Sequence, residues 1–294
     1  MSGASRSRVT AHRRERVVDG RARSLLEVTS AGKTAPPTRL LIAVHGSNQT
    51  AASFRDFTGR TLDDWSGHGE PVVYPESWKR GLWNDARVST KSRARHEGVD
   101  DIAFLRALVD DYRARGVEHV YALGFSNGGQ LVIRALHEAP TLFDAAVLVG
   151  ATLPAPGNLL PMREPAVRPV PMLLVHGTRD PIVPYAGGMA SLFGFRPRGL
   201  MSSFDDSVKY WVERAGIRHE PRVVNLPRSD ATRTTVVRRS FIQDGHAAVL
   251  AVTIEDGGHV FPNRHRPAFR LMGRTSADLD IARELVALHR ASPE

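Results

Sequence analysis

Short apolar runs that alternate with amphipathic segments constrain the fold of this chain more than any other feature. The runs are Leu40–Val44, Pro71–Tyr74, Val117–Phe125, Ala145–Val149, Met172–Val175 and Val249–Ile254. The segments with helical spacing of apolar residues are Asp100–Arg115, Asn127–His137, Asp205–Arg214 and Ala277–Arg290. Apolar strands that alternate with amphipathic helices predict an α/β fold, with a mostly parallel central sheet and helices on both of its faces.

Length and composition predict how the chain is divided. Its 294 residues fit one large α/β domain, which we expect to cover residues 16–294. Residues 1–15 are basic and contain no apolar run, so we expect this amino-terminal segment to be disordered. The chain contains no cysteine, which excludes disulfides, a thiolate nucleophile and a thiolate metal site.

Charge and hydropathy bear on the partners that the chain is expected to have. No secretory signal and no apolar stretch of membrane-spanning length is apparent, so we expect a cytoplasmic protein without a membrane partner. The formal net charge is +9, but the arginines are dispersed along the sequence rather than concentrated in one element. This dispersion favours a solvated basic surface over nucleic-acid binding.

The motif Gly124-Phe-Ser-Asn-Gly128 has the form G-x-S-x-G and follows the apolar run Val117–Phe125. A helical segment begins immediately after it. This strand–turn–helix context is that of a nucleophile elbow, in which the turn lifts the serine hydroxyl above the end of the sheet. The motif by itself is weak, since a plain strand-to-helix turn gives the same letters, but its context predicts Ser126 as a nucleophile.

An acid and a base follow Ser126 in the order that such a nucleophile requires. Asp180 lies in the loop after the run Met172–Val175, and His259 lies in the loop after Val249–Ile254. Ligands and catalytic groups of open α/β sheets gather at the carboxyl ends of the strands. A serine hydroxyl needs a base to remove its proton, and the base needs an orienting carboxylate. The sequence therefore predicts the triad Ser126, Asp180 and His259.

A negatively charged intermediate also needs fixed hydrogen-bond donors. We predict one donor in the backbone N–H of Asn127, directly after the nucleophile. The second is expected from the loop after the first buried strand, His45-Gly-Ser-Asn48, and we assign it to the backbone N–H of Ser47. Together, these four loops predict a serine hydrolase that cleaves carboxylic esters through an acyl-enzyme.

A series of short motifs extends along the chain from about Val17. They are Val18-Asp-Gly-Arg21, His45-Gly46, Tyr74-Pro75, Trp83-Asn-Asp85, Val99–Leu105, Val120-Tyr121, Gly124–Gly129, His176–Tyr185 and Gly257-Gly-His259. In this order, the motifs resemble those of the polyhydroxybutyrate depolymerase and feruloyl esterase group of the α/β-hydrolases, akin to carbohydrate esterase family one. The resemblance implies an α/β-hydrolase fold and the same triad, with Ser47 and Asn127 at the oxyanion.

The resemblance also suggests residues that contact the substrate. Trp83 matches the Trp-Asn pair of the group and is expected either to contact the substrate or to support the site, with plain core packing as the alternative. Phe261 stands where the group usually has tryptophan, at the expected rim of the pocket. Residues 187–203 form a longer segment than is usual in the group, and we predict an apolar lid that places Phe193 and Phe195 over an acyl group.

Other functions are compatible with the same residues. An amide hydrolase or an acyltransferase would use an identical triad, and a binding protein could retain the fold without catalysis. The sequence contains no H-E-x-x-H, no dinucleotide G-x-G-x-x-G and no P-loop, so it predicts neither a metal nor an organic cofactor. The expected partner is a small or oligomeric ester substrate.

Overall fold

The computed structural model describes residues 9–32, 35–67, 69–161, 168–229 and 233–290. The strands are β1 (Val9–Val18), β2 (Arg21–Ser30), β3 (Arg39–Val44), β4 (Val72–Pro75), β5 (His119–Phe125), β6 (Ala145–Val149), β7 (Met172–Gly177), β8 (Gly188–Leu192), β9 (Phe195–Met201), β10 (Arg222–Asn225), β11 (Thr235–Phe241) and β12 (Val249–Glu255). The helices are α1 (Ala51–Phe57), α2 (Asp63–Gly67), α3 (Arg93–His96), α4 (Asp101–Arg113), α5 (Asn127–Glu138), α6 (Phe204–Arg214) and α7 (Ile281–Arg290).

Ten of the strands form one sheet in the order β1-β2-β4-β3-β5-β6-β7-β12-β11-β10. The central strands β4, β3, β5, β6, β7 and β12 run parallel to their neighbours within this group. The pairs at the two ends of the sheet are antiparallel. A largely parallel core with the crossed β2-β4-β3-β5 order is the arrangement of the α/β-hydrolase fold, so the predicted fold class is confirmed.

Helices cover both faces of the sheet because its central strands are apolar on both sides. One buried cluster joins the sheet to α4, α5 and α6, and it includes Phe104, Leu131 and Trp211. The other joins the opposite face to α1, α2 and α7, and it includes Phe54 and Trp65. The described residues contain no helix that is both long enough and apolar enough to span a bilayer.

The amino-terminal strand corrects one expectation. The prediction of disorder for residues 1–15 is wrong for residues 9–15, which belong to β1 and pair with β2 along its whole length. Residues 1–8 lie outside the described residues. The β1–β2 hairpin turns at Asp19 and Gly20, whose φ angles of 48° and 71° suit a two-residue turn. β1 is mostly exposed, so no apolar alternation announces it in the sequence.

The start of α5 packs against the end of β3 with backbone in direct contact. A Cβ added to Gly128 would lie 2.2 Å from the carbonyl oxygen of Val44 and 2.5 Å from that of His45. A Cβ added to Gly124 would lie 2.5 Å from the Cα of Gly129. Glycine at these positions lets strand, turn and helix approach closely, which fixes the height of the turn above the sheet.

We predict that Gly128→Ala strongly destabilises the fold. The added methyl group meets backbone rather than a side chain that could rotate away, so the cost should reach the upper range of overpacking, about 3 kcal/mol. Urea unfolding monitored by circular dichroism measures it. Gly157→Ala is the control, because a Cβ there meets no described atom within 4 Å. A Gly128→Ala variant as stable as this control would contradict the packing described.

Candidate active site

The site lies at the carboxyl edge of the parallel strands. Ser126 follows β5, Asp180 lies in the loop after β7, and His259 lies in the loop after β12. The loop after β3 contributes residues 45–48. Because these strands run in the same direction, the residues that follow them meet at one edge of the sheet.

Ser126 occupies a sharp turn between β5 and α5. Its backbone angles are φ 52° and ψ −117°, a conformation that a residue with a side chain adopts only under constraint. Its N–H donates to the carbonyl of Val149 on the neighbouring strand, at 2.9 Å. The following residue already belongs to α5, so the hydroxyl lies beside the positive end of that helix.

The three predicted triad residues are brought into a continuous hydrogen-bonded chain. His259 Nε2 lies 2.9 Å from Ser126 Oγ, and His259 Nδ1 lies 2.6 Å from Asp180 Oδ2. All three residues are almost buried, with exposed fractions of 9% for Ser126, 7% for Asp180 and 5% for His259. If Asp180 accepts a hydrogen bond from Nδ1–H, then Nε2 is left to accept the proton of the serine hydroxyl.

The surroundings of Asp180 hold its carboxylate ionised. Its Oδ1 accepts hydrogen bonds from the backbone N–H groups of Ile182 and Val183, each at 2.8 Å. Burial acts to raise the pKa of Asp180, but the interactions with His259, His176 and the Val183 N–H outweigh burial and lower that pKa. Asp180 therefore remains an acceptor for the histidine over the ordinary pH range.

Backbone contacts hold His259 in place. The backbone N–H of His259 donates to the carbonyl of Met272 at 2.7 Å, and the backbone N–H of Gly258 donates to the carbonyl of Arg274 at 2.9 Å. Its ring also packs against that of Phe125, with ring centroids 5.0 Å apart. The backbone of Met272 and Arg274 is thus hydrogen-bonded directly to the backbone of Gly258 and His259.

The two predicted oxyanion donors lie in the expected loops. The N–H of Asn127 is the first of α5 and has no carbonyl partner within the helix. Within the described part of the chain, the N–H of Ser47 has no hydrogen-bond acceptor either. Both N–H groups are therefore free to bind an anionic oxygen, and their role there stays a prediction.

The side chain of Asn127 is fixed at both ends of its amide. Its Oδ1 accepts from the backbone N–H of Trp83 at 2.9 Å, and its Nδ2 donates to Asp85 Oδ2 at 2.5 Å. Asp85 is fully buried, and it also accepts from the side chains of Arg87 and Thr90. This buried network orients the residue that follows the nucleophile. This role of Asp85 is not apparent from the sequence, because its partner Asn127 is 42 positions away in the chain.

Trp83 is buried and contacts the oxyanion loop. Its side chain is 0% exposed, and its indole N–H donates to the carbonyl of His45 at 2.9 Å. Its ring also packs on the ring of His45, with centroids 4.9 Å apart. This burial favours the supporting role over contact with a substrate, and both roles stay predictions.

The predicted lid is a β-hairpin formed by β8 and β9. Phe193 and Phe195 are exposed to 37% and 76%, so neither is buried in this structure, and their contact with an acyl group stays a prediction. The carbonyl of Leu200 in β9 accepts hydrogen bonds from the N–H of Ala155 and from Asn158 Nδ2, each at 3.0 Å. The hairpin is therefore held by its backbone, which the apolar pattern does not reveal.

A residue of β9 that the sequence analysis did not assign reaches the oxyanion loop. Arg198 Nη1 donates to Ser47 Oγ at 2.7 Å, across 151 positions of sequence. No motif in the sequence singles out this arginine. Its position, in the middle of a segment expected to face the site, was the available signal.

An open cavity of about 590 Å³ lies beside the histidine loop. Its lining residues are Asn48, Gln49, Ser53, Asp56, Phe57, Val260, Phe261, Asn263, Arg266, Pro267, Ala268, Phe269 and Thr275. Phe261 lines this cavity, but it is only 1% exposed and packs edge-on against Phe54, so its place at the rim of a substrate pocket stays a prediction. The walls of the cavity are largely apolar, and Asn48 and Gln49, which follow Ser47 in the chain, add polar groups to them.

A second, basic cleft of about 740 Å³ adjoins this cavity. Five residues line both, among them Asn263 and Arg266. The arginines that line the cleft are Arg179, Arg233, Arg264, Arg266, Arg270 and Arg274. Arginines that are dispersed in the sequence thus converge in space, although Arg179 and Arg274 face the carboxylate of Asp256.

Comparison with known proteins agrees with this architecture. The family described as Phospholipase/Carboxylesterase matches residues 65–192, a range that includes Ser126 and Asp180. NocK from Nocardia uniformis subsp. tsuyamanensis, a protein that carries the name of an esterase, is 28% identical over 283 residues, which cover 92% of this chain and 79% of NocK. Together with the fold, these similarities support an enzyme of the α/β-hydrolase esterase group.

Other similarities cover less of the chain. Feruloyl esterase B from Piromyces equi is 28% identical over 175 residues, which cover 55% of this chain and 29% of that protein. Among solved structures, a cold-adapted esterase from an Arctic intertidal metagenomic library aligns with a TM-score of 0.43 and 17% identity, over 63% of this chain and 80% of that one.

His45, which anchors the oxyanion loop, makes stability depend on pH. Burial lowers the pKa of His45 from 6.5 to about 4, against a smaller opposing effect of its hydrogen bond to the Gly46 carbonyl. The unfolded chain therefore binds a proton at this residue between pH 6.5 and 4 that the folded chain does not bind. We predict that unfolding free energy falls through this window as pH decreases, with His45 contributing roughly 3 kcal/mol.

Urea unfolding of the wild type and of His45→Gln across pH 7 to 4 measures this contribution. The variant should lose less stability on acidification than the wild type. Val44→Ala is the control for a destabilised variant that retains the histidine, and its curve should run parallel to that of the wild type. Parallel curves for His45→Gln and the wild type would contradict the account of His45.

Proposed function

We propose that this protein hydrolyses carboxylic esters through an acyl-enzyme formed on Ser126, with His259 as general base and acid and Asp180 as the orienting carboxylate. The observation that carries the proposal is the hydrogen-bonded chain from Ser126 Oγ through His259 to Asp180 Oδ2, with distances of 2.9 and 2.6 Å. These distances are within the range in which a base removes the proton of a hydroxyl nucleophile.

In the acylation step, Ser126 Oγ attacks the carbonyl carbon of the ester while its proton passes to His259 Nε2. The resulting imidazolium is stabilised by the ionised Asp180, which does not take up the proton. The carbonyl oxygen becomes negatively charged and accepts hydrogen bonds from the N–H groups of Ser47 and Asn127. The tetrahedral intermediate then collapses, and His259 gives its proton to the departing alcohol.

Deacylation repeats these steps with water as the nucleophile. His259 takes a proton from the water, the hydroxide attacks the acyl carbon, and Ser126 Oγ leaves as it regains the proton. Asn127 keeps its orientation throughout, because its amide is held by Trp83 and by the buried Asp85. Donors that need no reorganisation during the reaction stabilise the intermediate most effectively.

The proposed substrates are esters with an aromatic or alkyl group of moderate size. The walls of the cavity beside the histidine loop include Phe57, Phe261 and Phe269, which suit such a group. The resemblance to feruloyl esterases and polyhydroxybutyrate depolymerases, together with the partial similarity to feruloyl esterase B, makes aryl esters and hydroxybutyrate oligomers the first two arms of a substrate panel.

Amide hydrolysis and acyl transfer would use the same acyl-enzyme. The names of NocK and feruloyl esterase B favour the esterase over both. Matched nitrophenyl esters and nitroanilides, assayed with and without an added alcohol acceptor, separate the three activities. An esterase turns over the ester, does so much faster than the anilide, and forms little transfer product.

Ser126→Ala tests the nucleophile. We predict that a fluorophosphonate probe labels the wild type once and does not label this variant, and that kcat falls by at least about 10⁴-fold. Intact-protein mass spectrometry counts the label. The control is Ser53→Ala, which removes a serine that caps α1 near the same cavity and should leave labelling intact. Labelling of the Ser126→Ala protein would assign the nucleophile elsewhere.

Asp180→Asn tests the acid. The amide keeps the volume and can donate to His259 Nδ1, which favours the wrong tautomer, so kcat should fall by about 10³- to 10⁴-fold while the fold persists. The control is Asp205→Asn, an exposed acid on α6 that should retain activity within about twofold. Nearly full activity of Asp180→Asn, with the same circular dichroism spectrum, would remove Asp180 from the triad.

A further inference from the structure

Arg198 is a half-buried cation next to the oxyanion loop, and the triad and its supporting network do not use its charge. Its Nη1 donates to Ser47 Oγ at 2.7 Å, and Ser47 supplies one of the proposed oxyanion donors. A guanidinium has five N–H donors in a planar fork, so this contact leaves most of them free. Arg198 thus contacts the side chain of the residue whose backbone N–H is a proposed oxyanion donor.

Arg198 has no counter-ion in the described part of the chain. No described carboxylate lies within 4.0 Å of its nitrogens, in contrast to Arg87 nearby, which pairs with Asp85. Burial lowers the pKa of Arg198, and repulsion from Arg87 and Arg196 adds to this effect, while Asp85 offsets part of it. A cation that is partly removed from water and left uncompensated is costly, which argues for an anion supplied by a ligand.

The backbone around Arg198 is fixed in advance. Its carbonyl accepts a hydrogen bond from Ser89 Oγ at 2.6 Å, and the next residue, Gly199, has φ 96°. A Cβ on Gly199 would lie 2.2 Å from Ser89 Oγ and 2.3 Å from Asn158 Nδ2. Strand β9 therefore packs closely against the segments that contain Ser89 and Asn158. Arg198 is held in position by this packing rather than carried on a free surface loop.

We propose that Arg198 is a substrate-binding residue that selects esters carrying a carboxylate a few bonds from the scissile carbonyl. The planar fork pairs with a carboxylate through two parallel hydrogen bonds, which gives both affinity and orientation. The inference deepens the proposed esterase function and rests on it. The β8–β9 hairpin then acts as the holder of a charged subsite.

Paired substrates test the proposal. Monoethyl succinate is compared with ethyl pentanoate for an anion on the acyl side, and 4-acetoxybenzoate with its methyl ester for an anion on the alcohol side. Hydrolysis is followed by pH-stat, and the readout is the ratio of kcat/KM for the charged ester to that for the neutral ester. We expect this ratio to exceed one in the wild type for at least one pair.

Substitution locates the preference. In Arg198→Gln the ratio should fall by roughly 10- to 100-fold, mainly through KM, and Arg198→Lys should restore only part of it because the fork is lost. Arg196→Gln removes the same charge from an exposed position of the same hairpin and is the matched control. Its ratio should stay within about twofold of the wild type, which separates a defined contact from general attraction to a basic surface.

Three outcomes overturn the inference. Equal or lower kcat/KM for both charged esters in a wild type that hydrolyses the neutral ones shows that no anion is selected. A ratio that persists in Arg198→Gln and is lost in Arg266→Gln places the anion in the basic cleft instead. Equal loss of the ratio in Arg196→Gln and Arg198→Gln reduces the effect to surface charge. Absence of all ester hydrolysis and of fluorophosphonate labelling would instead be a failure of the proposed esterase function.

Discussion

The contact between the start of α5 and the end of β3 is the constraint on which the site depends. Gly128 lies so close to the carbonyls of Val44 and His45 that no side chain fits between them. This contact holds Ser126 at a positive φ and brings the oxyanion loop alongside the helix that follows the nucleophile. The hydroxyl, the helix N–H and the loop N–H are thereby set by backbone packing, before any side chain is considered.

A buried polar network around Asp85 holds Asn127 and the oxyanion loop in place. Asp85 is fully buried but accepts from Asn127, Arg87 and Thr90, so its charge is compensated. Trp83 connects this network to the oxyanion loop through its hydrogen bond to the His45 carbonyl. Buried polar groups that are fully satisfied fix one arrangement and penalise others. Burying these polar groups costs free energy. In return, the proposed oxyanion donors are already oriented when a substrate binds.

The parts of the site that follow a strand were predictable from sequence, since their positions depend on chain order alone. Ser126, Asp180 and His259 each follow an apolar run, and parallel strands bring such positions to one edge. The roles of Asp85 and Arg198 were not predictable, because each depends on a partner 42 or 151 positions away. Residues 9–15 were missed because an exposed edge strand pairs through its backbone and needs no apolar pattern.

The exposure of the large apolar residues in the hairpin was not predictable for a related reason. Large apolar residues in residues 187–203 suggested burial, but hairpin geometry decides which way they point, and the two-residue turn at Phe193-Gly194 directs Phe195 into solvent. A sequence reports the presence of apolar side chains more reliably than the face on which a strand presents them. Arg198 of the same hairpin, by contrast, reaches the oxyanion loop through its hydrogen bond to Ser47 Oγ.

A crystal structure of the protein after reaction with a phosphonate ester tests directly whether Ser126 is the nucleophile and whether Ser47 and Asn127 bind the oxyanion. A phosphonyl group bonded to Ser126 Oγ imitates the tetrahedral intermediate, and one of its oxygens stands for the oxyanion. We expect this oxygen to lie about 2.7–3.1 Å from the backbone nitrogens of both Ser47 and Asn127, with His259 still hydrogen-bonded to Asp180. A phosphonate on another residue, or an oxygen out of reach of both N–H groups, would contradict this expectation.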